Sequence, residues 1–130
     1  MNSWIKSNFK INEILKFLVG GGSAVITDAI VYILLKRYID ISAAKAISYI
    51  SGAIVGFIIN KLWTFESKSF KLSEIYKYIV LYAFSAVANT LVNKVILLLF
   101  SNVPFAFLCA TGVSTVINFL GQKFVVFKKE

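Results

Sequence analysis

Long apolar runs alternate with short polar interruptions along the chain. A bilayer core of about 30 Å needs about 20 helical residues rising about 1.5 Å each. Four runs meet that length, at about 15–35, 43–62, 76–100 and 103–120. The connections KRYIDIS and SNVP are short, so consecutive spans pair as helical hairpins. Pro104 suits a helix start, where its missing N–H costs nothing. The pattern predicts an all-α membrane protein of four transmembrane helices in two tandem hairpins.

The pattern also repeats. Displaced by 61–62 residues, KFLVGGGSAVITDAIV from Lys16 lies over KYIVLYAFSAVANTLV from Lys77. Asp28 falls on Asn89. The ends of the halves match too, FIINKLWTF over FLGQKFVVF, pairing Asn60 with Gln122 and Lys61 with Lys123. Each copy holds an even number of spans, so both enter the membrane from one side. A parallel repeat follows, with a pseudo-two-fold axis along the membrane normal. The expectation is one domain, 1–130, with repeat 1 at about 15–65 and repeat 2 at about 76–127.

Composition supports the membrane reading. Apolar residues make up 58% of the chain and charged ones 15%, against roughly 45–50% apolar in soluble domains. Fourteen Lys/Arg against six Asp/Glu give a net charge of +8. The cations stand at the ends of apolar runs, which points to anionic headgroups and orientation and away from nucleic acid. Ten lie on one side: Lys6, Lys10, Lys16, Lys61, Lys68, Lys71, Lys77, Lys123, Lys128 and Lys129. Three, Lys36, Arg37 and Lys45, lie on the other, and Lys94 is within the third span. Both termini are therefore expected in the cytoplasm, in a multi-pass protein of the cell (inner) membrane. The first residues, MNSWIKSNFKINEILKF, read as a short N-terminal amphipathic helix, with Trp4 and Phe9 at the interface beside Lys6 and Lys10.

Histidine is absent and Cys109 is the single cysteine. That removes an intramolecular disulfide, a His-based catalytic pair and most zinc sites. No metal, cofactor or enzymatic activity is expected. Small residues recur every fourth position, as Ser48, Gly52 and Gly56 in the second span and Ala110, Ser114 and Asn118 in the fourth. Such spacing lets helix backbones approach closely, and packing is its expected role. Gly20, Gly21 and Gly22 suggest a close crossing or a flexible point; Leu81, Tyr82 and Ala83 replace them in the second copy.

The residues FLVGGGSAVITD in the first span and GFIINKLWTF closing the second resemble the GtrA-like family of small four-span membrane proteins. NFLGQKFVVF is a weaker echo, and the likeness runs from about Leu15 to Phe127. The resemblance implies a part in cell-surface polysaccharide synthesis: moving a sugar on a polyprenyl phosphate to the outer leaflet, where a membrane glycosyltransferase uses it. Gly56 stands where the family often has Asn, which Asn118 keeps in the second copy. Val125 stands where the first copy has the aromatic Trp63.

Such a cargo needs a surface cation and polar groups along the route, since unpaired polar groups in hydrocarbon cost several kcal/mol. Lys61 and Lys123 are expected at the cytoplasmic surface to meet phosphate, with Asn60 and Gln122 to hydrogen-bond oxygens and Trp63 to stack on a sugar. Phe65 and Phe127 are expected in the interface belt. Lysines and aromatics at helix ends also serve as ordinary anchors. Asp28 lies twelve residues past Lys16, about 18 Å into a helix, where an acid costs about 2.5–3.5 kcal/mol near the centre. It is expected to accept from sugar hydroxyls or carry a proton, or to pair with Asn89 across the pseudo-axis or with Lys94. An anion would pass from the Lys61/Lys123 level to the Lys94/Lys45 level, with Asp28, Asn89 and Asn93 hydrating the sugar. With Asn118, these complete the candidate substrate-binding set.

Two other readings fit the chain. A small proton-coupled multidrug exporter would rest on Asp28. A non-transporting subunit of a membrane glycosyltransferase would use the packing motifs alone. Four thin helices leave little interior, so a homo-oligomer is expected, a dimer first.

Overall fold

Lys10, in extended conformation, opens the first helix, and the apolar run behind it stays helical for 25 residues, α1, Ile11–Leu35. The computed structural model describes residues 3 and 9–128. Asp40 starts the second helix, α2, Ile41–Ile59: its carboxylate accepts the N–H groups of Ser42 and Ala43 at 3.1 and 3.2 Å. Two donors that a helix start leaves unpaired are thereby satisfied. α2 runs directly into a π-helical turn, Asn60–Thr64. The Phe65 N–H closes it by donating to the Asn60 carbonyl at 2.8 Å, five residues back. Glu66, at φ 51°, then turns the chain out.

The second half is built in the same order. α3, Leu72–Phe100, ends on Ser101 in the left-handed region. Asn102 caps α4, Val103–Gly121, by accepting the Phe105 N–H at 3.0 Å, and Pro104 occupies the first turn as expected. A second π-turn follows, Gln122–Val126, closed by Phe127 N–H to Gln122 O at 2.8 Å. NKLWTF and QKFVVF are thus π-turns, each with its closing phenylalanine.

The spans are 25, 24, 29 and 24 residues long when the π-turns are included, all sufficient to cross a bilayer. The first three begin at 11, 41 and 72, ahead of the expected 15, 43 and 76. Hydropathy marks the apolar stretch, whereas backbone hydrogen bonding continues through Glu13, Lys16, Glu74 and Lys77. The second and fourth run on to Thr64 and Val126 for the same reason. The expected amphipathic lead-in, with Trp4 and Lys6, lies outside the described residues; Phe9 and Lys10 precede α1 without helical structure.

The chain divides into two compact units, Met1–Lys68 and Ser69–Glu130, each one hairpin with its π-turn. In the first, Ala44, Ser48, Gly52 and Gly56 form the buried face of α2. A Cβ on Gly52 would stand 2.5 Å from the Ala24 carbonyl oxygen, so the two backbones meet there. Gly20 is equally tight, a Cβ on it lying 2.6 Å from Asn60 Oδ1, while Gly21 and Gly22 face open space. The glycine run is therefore a close crossing at one position. In the second unit, buried Ser85 donates to the Ser114 carbonyl at 3.0 Å across the α3–α4 crossing. Large apolar side chains such as Ile26, Leu98 and Leu108 point outward. Packing at small residues with bulky residues outside suits a lipid surround.

Candidate functional site

The first π-turn gathers polar groups inward. Asn60 and Thr64 are both buried, and the Thr64 hydroxyl donates to Asn60 Oδ1 at 2.9 Å. Gly20 on α1 makes room for that amide. Lys61 was expected at the membrane surface but is only 5% exposed. Its ammonium donates to the Ser67 hydroxyl at 3.1 Å, and the Ser67 N–H donates to the Lys61 carbonyl at 2.7 Å. The chain folds back over the turn and covers the lysine. Phe65 is also buried, its ring 6.2 Å from that of Phe17, so it is a packing residue and not an interface anchor.

The outer surface of this turn carries other groups. Trp63 is 44% exposed. The Lys16 ammonium sits 5.3 Å from the centroid of its ring, within the range of a cation–π contact. Lys16 is not among the candidate binding residues that the sequence marks. Its place on α1, opposite the end of α2, brings a cation and an indole face together.

The second π-turn repeats the inward amide, with Gln122 1% exposed, and buries Phe127, another correction to the expected belt. Lys123 is partly exposed and lies 5.7 Å from the Phe124 ring centroid. Val125, exposed, stands where Trp63 stands in the first copy. The lysine–aromatic pair is thus kept, using the neighbouring Phe124.

Asp28 belongs to the other end of the first hairpin. It lies seven residues before the end of α1, about 10 Å by helical rise, nearer that end than the centre. Both carboxylate oxygens accept from the Lys45 ammonium at 2.9 Å, and Oδ1 also accepts from the Ser48 hydroxyl at 2.6 Å. The partners expected from sequence were Asn89 or Lys94. The acid is matched instead by two residues of α2 in its own hairpin, one of them read only as a small packing residue. Asn89 likewise stays in its own hairpin, its amide donating to the Ser114 hydroxyl at 3.0 Å. Asn93 is half-buried and Lys94 exposed on α3. Asn118 places its Oδ1 in a buried position with no hydrogen-bond partner among the described residues.

The candidates therefore separate along each hairpin. Asn60, Lys61 and Trp63 cluster with Lys16 at one end, and Asp28 sits with Lys45 and Ser48 toward the other. Gln122 and Lys123 mark the π-turn end of the second hairpin, and Asn89 pairs with Ser114 farther along it. The sequence matches the model of the GtrA/DPMS transmembrane domain over residues 16–127. That span takes in the first helix from Lys16 onward, the other three helices and both π-turns, so this multi-pass membrane chain belongs to the GtrA/DPMS transmembrane-domain family.

Proposed function

We propose that the protein moves a polyprenyl-phosphate-linked sugar from the cytoplasmic to the outer leaflet, for glycosylation of a cell-surface polysaccharide or teichoic acid. The family fits membrane proteins of glycosylation and polysaccharide synthesis. The observation that carries the reading is the make-up of the π-turns: a buried amide beneath a lysine–aromatic pair, in both hairpins. Lys16 and Lys123 supply compact cations for a lipid phosphate. Trp63 offers a face for a sugar ring, and Asn60 and Gln122 offer polar contacts at the start of the crossing. The apolar tail stays in lipid throughout. The protein acts as a carrier and not as an enzyme, with both termini in the cytoplasm, and hands its cargo to a membrane glycosyltransferase. A dimer completes the proposal.

Proton-coupled drug export would need a carboxylate available to exchange protons. Asp28 is already matched by Lys45, which takes support from that reading.

The test is reconstitution in liposomes with a polyprenyl-phosphate sugar in one leaflet, following its appearance in the other. Transport by the wild type is expected. Lys16→Ala with Lys123→Ala should slow it about tenfold, the scale of one or two lost charge-assisted contacts. Folded protein that moves no lipid would defeat the proposal and leave the accessory-subunit reading.

A further inference from the structure

The end of the first hairpin remote from its π-turn holds a second group of cations. Lys36, just past α1, and Lys45, in the first turns of α2, place their ammonium groups 5.7 and 5.6 Å from the centroid of one ring, that of Tyr32. Lys45 commits two contacts to the oxygens of Asp28, yet an ammonium has three donors. Its side chain remains 57% exposed, against 19% for Asp28. Neither the Lys36 ammonium nor the Tyr32 hydroxyl has a hydrogen-bond partner among the described residues. The acids nearby are both engaged, Asp28 with Lys45 and Ser48, and Asp40 with the amides that start α2.

We propose that Lys36, Tyr32 and Lys45 form a second phosphate site, for the head of a lipid phosphate, with Asp28 sharing the Lys45 ammonium with the bound phosphate. Two ammonium groups and a phenol are the donors that a phosphate's oxygens require. Asp28 neutralises Lys45 when the site is empty, so one net positive charge remains to attract an anion. An arriving phosphate draws on the third Lys45 donor and on Lys36, and Asp28 limits how tightly it is held. A site meant for release needs that limit. The outward apolar residues Ile33, Leu34 and Ile41 beside it favour a lipid over a free anion.

The second hairpin does not repeat the arrangement. Asn93, Leu97 and Phe107 stand at the positions of Tyr32, Lys36 and Lys45. The arrangement is thus particular to the first hairpin. The inference rests on the lipid-phosphate reading above but is tested by binding, not by transport.

The experiment uses the Lys16→Ala/Lys123→Ala protein in uncharged detergent, which removes the two cations that the carrier reading assigns to lipid phosphate at the π-turns. Citronellyl phosphate is the probe, followed by phosphorus NMR, with citronellol and inorganic phosphate as comparisons. Residual binding of citronellyl phosphate is expected. Adding Lys36→Ala should weaken it about fivefold, and adding Asp28→Asn should tighten it about fivefold, the scale of one partly exposed charged contact. No residual binding, or binding indifferent to Lys36→Ala, overturns the proposal. Equal affinity for inorganic phosphate overturns its commitment to a lipid. Lys36 is exposed and hydrogen-bonds nothing described, so its variant decides the matter even where Asp28→Asn proves unstable. Loss of transport with this binding intact would fault the carrier reading alone.

Discussion

A methyl group on Gly20 would stand 2.6 Å from the Oδ1 of Asn60. The amide cannot simply swing away, because it is buried and accepts from Thr64. Gly20→Ala should therefore destabilise the first hairpin by about 1–3 kcal/mol, the usual cost of overpacking. Gly21→Ala and Gly22→Ala meet open space. Each should be neutral or gain up to about 1 kcal/mol from helix propensity. Thermal unfolding in detergent separates the three, and equal effects would contradict the crossing described here.

The two hairpins make the same crossing with opposite partners. Gly20 faces Ile59 in the first, whereas Leu81 faces Gly121 in the second, at the positions the sequence repeat aligns. A Cβ on Gly121 would overlap the Leu81 methyl groups, and Leu81 is a flexible side chain. Gly121→Ala should thus be relieved by Leu81→Ala, with a coupling of about 0.5–3 kcal/mol between contacting residues. Gly52→Ala meets the backbone oxygen of Ala24. No single side-chain truncation on α1 should rescue it, since the obstacle is the carbonyl that every residue at position 24 carries.

Four spans, their pairing into hairpins and the recurrence of NKLWTF and QKFVVF were legible because length, hydropathy and local identity are written residue by residue. The π-turns were not. Nothing in NKLWTF distinguishes a hydrogen bond reaching five residues from one reaching four, and so Lys61, Phe65 and Phe127 were placed at a surface that they do not occupy. The pairing of Asp28 was missed for another reason. Position in sequence gives its depth but not the angle at which α2 crosses, and that angle brings Lys45 and Ser48 to it. Lys16 was visible as a charge, while its place over Trp63 follows only from the hairpin.

The Asp28–Lys45 pair, at 2.9 Å, can be tested directly. Lys45→Met leaves a half-buried carboxylate with Ser48 as its remaining partner. It should cost about 1–3 kcal/mol, the range for removing one partner of a polar contact. Asp28→Asn with Lys45→Met removes the charge as well and should be less damaging than Lys45→Met alone. Unfolding of the two single variants and the double variant gives the coupling. Additive losses would mean that the ion pair seen here contributes nothing to the fold.

Asn118 offers the cleanest separation of stability from function. Its Oδ1 is buried without a hydrogen-bond partner among the described residues, an arrangement that costs about 1–3 kcal/mol of desolvation. Asn118→Ala removes that penalty along with some packing, so stability should hold or rise slightly. Asn60→Ala is the contrast, since it removes the acceptor that Thr64 uses inside the first π-turn and should lose about 1–2 kcal/mol. If Asn118 serves the passage of the sugar, its variant will unfold like the wild type and still transport slowly in liposomes. Normal transport by a stable Asn118→Ala would remove the residue from the site and leave its orphan oxygen without a role in the cargo's path.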